Sequence, residues 1–130
     1  MALLLFEPQT AKLTDYEREL VPVLVKCLEN KVGKNKAVKN SYMVAKLREH
    51  GLLTSEPRIR KMLNYIRTRG LVECLVASSQ GYYISTDIQE LDDYIDSLRG
   101  REDAIREVRL ALEEQRVRLE DKQNNNRKKQ

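Results

Sequence analysis

The sequence has few of the residues that build catalytic centres, metal sites and large apolar pockets. It contains no tryptophan, one phenylalanine and one histidine, His50, and its two cysteines are Cys27 and Cys74. A structural zinc site needs about four nitrogen or sulfur ligands at close spacing, which these residues do not supply. We therefore predict no catalytic residues, no metal and no cofactor, and we expect that the chain is not an enzyme. The two cysteines are expected to be buried, reduced thiols.

Long apolar runs are also missing from the sequence. The apolar opening from Ala2 to Phe6 is five residues long, whereas a secretory signal needs roughly 7 to 15 and a membrane-spanning helix about 20. The mean hydropathy of the chain is −0.61. The sequence therefore predicts a cytoplasmic protein that does not enter the membrane.

Charge is abundant, since 34% of the residues are Asp, Glu, Lys or Arg. The net charge of +4 is unevenly distributed, because residues 31–85 hold eleven basic groups against three acidic ones, a net of +8. Residues 1–30 and 86–130 each carry a net charge of −2. Clustered positive charge attracts polyanions, of which nucleic acid is the commonest. The alternative is a solvated surface that is basic by chance.

The first predicted helix runs from Thr14 to about Asn30. Thr14 and Glu17 have the spacing of a capping box, and apolar residues recur behind them at steps of three and four. Pro22 is expected to kink this helix or to split it. Residues 31–39 are rich in lysine and show no periodicity, which predicts an exposed loop.

A second helix is predicted from Ser41 to His50. Asn40 has a side chain suited to cap its amino end, and Val44 and Leu47 form its inward face. His50 is expected to interact with the last carbonyl groups of this helix rather than to act in catalysis.

A third helix is predicted to extend to Arg69, with Thr54 and Ser55 as candidate caps, and Gly70 ends it. Its apolar residues fall within one arc of about 100° and are Ile59, Met62, Leu63 and Ile66. The opposite face is polar and basic, and consists of Lys61, Asn64 and Thr68, flanked by Arg58, Arg60, Tyr65 and Arg67.

A short hairpin is predicted directly after the third helix. Residues 71–77 form an apolar, β-rich run, residues 78–81 have turn chemistry, and residues 82–85 form the second strand. Two helices with a short connection, followed by a hairpin, give the order of elements of a winged helix-turn-helix. The predicted fold class is therefore mainly α with a small β-hairpin.

Three stretches of this region resemble small winged helix-turn-helix proteins that are common in bacteriophage and prophage genomes. They are residues 58–67 (RIRKMLNYIR), 70–71 (GL) and 81–84 (GYYI). In those proteins a long helix follows the wing with an acidic start and a Leu-x-x-Arg step, which Leu98 and Arg101 match. The resemblance covers roughly residues 14–120, and it implies a winged-helix fold, a phage origin and a location in the cytoplasm of a bacterial host.

A long helix is predicted from a cap at Asp87 to about Gln123. Its apolar residues fit the a and d positions of a coiled coil and are Leu98, Ile105, Val108, Leu112 and Leu119. This seam could pair two subunits, fold back on the first helix, or do both at different heights, and we expect a homodimer. The predicted organisation is an N-terminal arm (1–13), a winged helix-turn-helix domain (14–86), the long helix (87–123) and a disordered basic tail (124–130).

Two functions fit these features. The first is double-stranded DNA binding, as a transcriptional regulator or a replication-origin binder, with the third helix in the major groove and the hairpin on the backbone. The predicted DNA-binding residues are Arg58, Arg60, Lys61 and Asn64 at base edges, Lys36, Lys39, Ser41 and Arg67 at phosphates, Ser79 and Gln80 at the hairpin turn, and Tyr65 and Thr68 beside them. The alternative is a winged-helix protein-interaction module, such as a phage replication accessory or counter-defence factor that binds a host or phage protein.

Overall fold

The computed structural model describes residues 12–129, so most of the predicted N-terminal arm lies outside the described part. The chain divides into two units, Met1–Leu91 and Asp92–Gln130. The structure is mainly helical, with one small antiparallel hairpin and a long C-terminal helix, as predicted. Its elements are α1 (Asp15–Leu28), a 3-10 turn (Lys34–Lys36), α2 (Asn40–Glu49), α3 (Glu56–Thr68), β1 (Leu75–Ser78), β2 (Gly81–Ile84) and α4 (Ile88–Lys128). Within residues 12–129, none of these helices combines the length and apolar character needed to span a bilayer.

Helix α1 begins with the predicted capping box. The Thr14 hydroxyl accepts the backbone N–H of Glu17 at 3.1 Å, and the Glu17 carboxylate accepts the N–H of Thr14 at 2.9 Å. Pro22 does not split the helix, contrary to one of the two expectations for it. Pro22 is exposed, so the carbonyl group that loses its helical partner can bond to water.

The core lies where α1, α2 and α3 meet. The four residues predicted for the inward face of α3 are fully buried, and Leu20, Leu24 and Leu28 of α1 pack with them. In α2 the buried pair is Met43 and Leu47, and the half-buried Val44 packs against the core as predicted, whereas Met43 was not predicted. Residues four apart lie in one row on a helix, so Val44 falls to the edge of the row that faces the core.

The start of α2 also differs from its prediction. Asn40 is the first helical residue rather than the cap, and the cap residue is Lys39, whose side chain makes no capping hydrogen bond. At the other end, the Nδ1 atom of His50 lies 3.0 Å from the carbonyl oxygen of Lys46. This contact matches the predicted role of His50.

The hairpin is shorter than predicted, because β1 begins only at Leu75. The strands pair from Leu75 with Ile84 to Ser78 with Gly81, which leaves Ser79 and Gln80 as a two-residue turn. The residues before β1 form a turn in which Cys74 has a φ of 59°. Cys74 is exposed and Cys27 is half-buried, so the predicted burial of both thiols is wrong.

Residues 31–39 are more ordered than the predicted exposed loop. Val32 forms a parallel bridge with Ile84, and Val38 forms an antiparallel bridge with Tyr82. Tyr82 donates its N–H to Val38 at 2.8 Å and accepts the N–H of Val38 at 2.9 Å. Single-residue bridges need no alternating pattern, which is why the segment shows no periodicity.

Glu90 attaches the first turn of α4 to the hairpin. The buried hydroxyl of Ser85 donates to the Glu90 carboxylate at 2.5 Å. Burial raises the pKa of the Tyr83 phenol, and its hydrogen bond to Glu90 raises this pKa further. The Asp87 carboxylate accepts the N–H of Gln89 at 2.9 Å. This bond confirms Asp87 as the cap of α4.

Helix α4 continues to Lys128, so the prediction of a disordered tail is wrong for residues 124–128. Extending an existing helix adds one hydrogen bond for each residue that is fixed, whereas starting a helix is costly. Arg127 and Lys128 also place positive charge at the carboxyl end, where the helix dipole favours it.

Replacing Gly81 with alanine tests the contact between the hairpin and residues 31–39. A Cβ atom there would lie 2.3 Å from the carbonyl oxygen of Val38, at a φ of 119°. We expect Gly81→Ala to lower the free energy of unfolding by about 3 kcal/mol or more, because it adds a backbone clash to the conformational strain.

Gly51→Ala is the matched control, since Gly51 has a φ of 74° but no atom within 4 Å of the added Cβ. It should cost only about 1 kcal/mol. Urea unfolding followed by circular dichroism measures both values. Equal losses would contradict the close approach at Val38.

Candidate functional site

The outward face of α3 borders a cleft next to the start of α1. Because residues 61, 64, 65 and 68 recur at steps of three and four, they lie along one side of the helix. The cleft brings four of the predicted residues together with cations from outside α3, and its lining comprises Lys61, Asn64, Tyr65, Thr68, Arg69, Lys12, Leu13 and Arg18. The cleft therefore combines basic groups from α3 and from the region where α1 begins.

Two side chains in this cleft are held by contacts with residues of α3. The Thr68 hydroxyl donates to the carbonyl oxygen of Asn64 at 2.8 Å, so it is already satisfied by its own helix. The Arg69 guanidinium lies 4.1 Å from the centre of the Tyr65 ring, a cation–π contact that fixes its position. Lys61 and Asn64 are the side chains best placed to contact a ligand.

A second depression lies between the hairpin turn and the start of α2. Gln80 of the turn lines it together with Lys39, Ser41 and Tyr42. Because α2 has no side-chain cap, the N–H groups of its first turn lack the usual acceptor and its positive end stays open. A helix start of this kind, beside a lysine, is suited to bind an anionic group such as phosphate.

Arg58 does not lie with the other predicted contacts. Its Nε donates to the Glu17 carboxylate at 2.6 Å and its Nη2 donates to the same carboxylate at 2.5 Å. Nη2 also donates to the carbonyl oxygen of Lys12 at 3.0 Å. Only 14% of the Arg58 side chain and 7% of the Glu17 side chain are exposed, so Arg58 is not available for the base contact predicted for it.

Each member of this ion pair favours the charged form of the other. The hydrogen bond from Arg58 holds the pKa of Glu17 below its ordinary value of 4.5, although burial opposes this shift. The hydrogen bond to Glu17 raises the pKa of Arg58. A carboxylate with two such donors stays ionised in the interior of the domain.

The remaining predicted residues lie outside both the cleft and the depression. Arg60 is half-exposed and lies 3.9 Å from Glu56, one turn earlier on α3. Arg67 is half-buried on the same side of the helix as Arg60, and Lys36 and Ser79 are exposed in the 3-10 turn and the hairpin turn. The structure therefore groups four predicted residues at the cleft and three at the depression.

Sequence reasoning missed several residues of these two surfaces. Lys12 and Arg18 were overlooked because they belong to a segment with a net negative charge. Tyr42 was overlooked because one exposed tyrosine carries no periodic signal. No local sequence signal indicates Arg18, because the α3 residues that share the cleft with it lie far away along the chain.

Within residues 12–129, no group of three or more His, Cys, Asp or Glu side chains is placed to hold a metal ion. Comparison with protein-family models, with curated proteins and with solved structures finds no match to this chain. The resemblance to phage winged-helix proteins therefore stays a prediction.

The ion pair between Glu17 and Arg58 predicts an acid-dependent loss of stability. Since the pKa of Glu17 is lowered by folding, its contribution is complete above 4.5 and is lost as the pH falls through the lowered value. We expect Glu17→Gln to reduce the free energy of unfolding at neutral pH by about 3 kcal/mol, because it leaves Arg58 without a charged partner.

Glutamine can still accept the capping hydrogen bond, so this variant isolates the charge. Glu19→Gln is the control, because Glu19 is an exposed residue of the same helix. Urea unfolding at several pH values should give a weaker acid dependence for Glu17→Gln than for the wild type and for Glu19→Gln. Parallel pH profiles for all three proteins would contradict the ion pair.

Proposed function

We propose that the chain is a double-stranded DNA-binding protein in which residues 14–86 form a winged helix-turn-helix domain. Helix α3 enters the major groove, and the hairpin is the wing that contacts the backbone. Two features of the fold support this proposal. α2 and α3 are joined by a short connection, and the hairpin after α3 pairs with residues 31–39, which precede α2.

The observation that carries the proposal is the depression shared by α2 and the hairpin turn. Lys39 and Ser41 are about 40 positions from Gln80 in the sequence, yet all three line the same surface beside an uncapped helix start. Helix starts and lysines are common phosphate contacts in protein–DNA complexes. This depression would hold the DNA backbone and thereby fix the register of α3.

The base contacts come from the outward face of α3. Arg60 and Lys61 have donors that suit the acceptors of guanine, and Asn64 can bond to adenine in two places. Arg67 and Lys36 are proposed as further phosphate contacts, with Ser79 at the wing. Lys12 and Arg18 add positive charge along the other side of the cleft.

We also propose that the protein works as a homodimer that pairs through α4. The seam residues are exposed, with fractions of 41% for Leu98, 70% for Ile105, 60% for Val108, 58% for Leu112 and 55% for Leu119. Exposed apolar surface of this extent marks an interaction site. A dimeric DNA-binding protein of this size fits a transcriptional regulator or a protein that marks a replication origin.

Fluorescence anisotropy of a labelled duplex of about 25 base pairs, at several salt concentrations, tests the proposal. We expect micromolar binding that weakens steeply with salt, because bound phosphates release counterions. Lys39→Ala combined with Lys61→Ala removes one cation from each depression, and we expect roughly tenfold weaker binding and a shallower salt dependence.

Arg99→Ala combined with Arg106→Ala is the matched control, since both arginines are exposed on α4 and pair only with neighbouring aspartates. It removes the same charge and should bind DNA nearly as well as the wild type. Equal losses in the two double variants would mean that only the net charge matters. No binding at low salt would contradict the proposal and favour the protein-interaction module.

A further inference from the structure

Helix α4 carries an apolar seam interrupted by polar residues at regular positions. With Leu98 at position a of a heptad, Ile105, Leu112 and Leu119 are also at a. The d positions are then Arg101, Val108 and Gln115. The middle of this seam is a shallow apolar surface along one side of α4, bordered by Arg109 and Arg116.

The polar d positions disfavour a parallel pair of these helices. In a parallel pair each residue meets its own copy across the seam, so Arg101 would face Arg101 and Gln115 would face Gln115. Two guanidinium groups in one layer repel each other, and two of the seven layers from Leu98 to Leu119 would hold only polar side chains. The residues at the d positions therefore destabilise a parallel dimer.

We propose that α4 binds a second copy of itself in the antiparallel direction, with Ile105 opposite Val108 of the other copy. In this register a positions face d positions, so Arg101 faces Leu112 and Gln115 faces Leu98. Each polar side chain then meets a leucine instead of its own copy. The aliphatic part of Arg101 can cover that leucine while its charged end reaches water.

Charge along the edges of the seam fits the same register. In antiparallel pairs the e positions of the two helices face each other, which places Glu102 beside Arg109 of the second copy, twice by symmetry. Glu102 takes part in none of the ion pairs that α4 makes within its described residues. Arg109 binds Glu113 of its own helix at 2.9 Å and has further donors for Glu102.

The opposite edge and the neighbouring registers favour this arrangement as well. On the g side Ala104 faces Ala111, and these small side chains allow the helices to approach closely. If one α4 helix slides along the other by one heptad, Arg109 faces Arg109 of the second copy. If it slides by one heptad in the opposite direction, Glu102 faces Glu102 of the second copy. Only the register with Ile105 opposite Val108 pairs opposite charges without a like-charge contact at the e positions.

This arrangement separates the amino-terminal ends of the two α4 helices. At a rise of about 1.5 Å per residue, they lie about 55 Å apart along the paired helices. This distance exceeds one turn of double-stranded DNA, which is about 34 Å. The antiparallel direction rests on the proposed homodimer, and a separation of the bound DNA sites by more than one turn rests in addition on the proposed DNA binding.

Disulfide cross-linking tests the direction of the pair without any DNA. In a background with Cys27→Ala and Cys74→Gly, one protein carries Leu98→Cys and a second carries Gln115→Cys. In the antiparallel register these positions face each other, so we expect cross-linked dimers after mild oxidation only when the two proteins are mixed. Cross-linking of each variant with itself would show a parallel pair and overturn the proposal, as would monomers in every sample.

A charge exchange tests the register by sedimentation velocity with the natural cysteines in place. Glu102→Arg places four arginines at the facing e positions and should weaken self-association at least tenfold. Glu102→Arg combined with Arg109→Glu restores opposite charges, and we expect it to recover most of the wild-type dimer. Equal self-association of the two variants would overturn the register.

Discussion

The buried ion pair between Glu17 and Arg58 is the interaction on which the orientation of α3 depends. The Glu17 carboxylate accepts the N–H of Thr14, which caps α1, and hydrogen bonds from Nε and Nη2 of Arg58, in the first turn of α3. One carboxylate therefore fixes the start of one helix and the rotation of another. With Arg58 turned towards α1, the helical repeat places Lys61 and Asn64 at the outer cleft.

The second constraint is the contact between the hairpin and residues 31–39. Val38 pairs with Tyr82 on both backbone groups, and Gly81 packs so closely that no larger residue fits. This contact sets the turn residue Gln80 beside the uncapped start of α2. Main-chain hydrogen bonds therefore position the residues of the proposed phosphate contact before a ligand arrives.

Local patterns in the sequence predicted local structure well. The capping box of α1, the buried face of α3 and the cap at Asp87 were all predictable, because each depends on residues within one or two helical turns. Interactions between distant residues were not. The partner of Arg58 lies 41 positions away, and a helical repeat gives the direction of a side chain but not the group that it meets. The bridges of Val32 and Val38 involve single residues, and the length of α4 reflects cooperative extension rather than the propensity of its last residues.

The central claim is that α2, α3 and the hairpin turn form one DNA-binding surface. Titration of the isotope-labelled protein with a duplex, followed by backbone amide NMR shifts, tests it most directly. We expect the largest changes at residues 39–42, at Lys61 and Asn64, and at Ser79 and Gln80. Changes confined to α4, or spread evenly over all basic residues, would contradict a single surface built from these three elements.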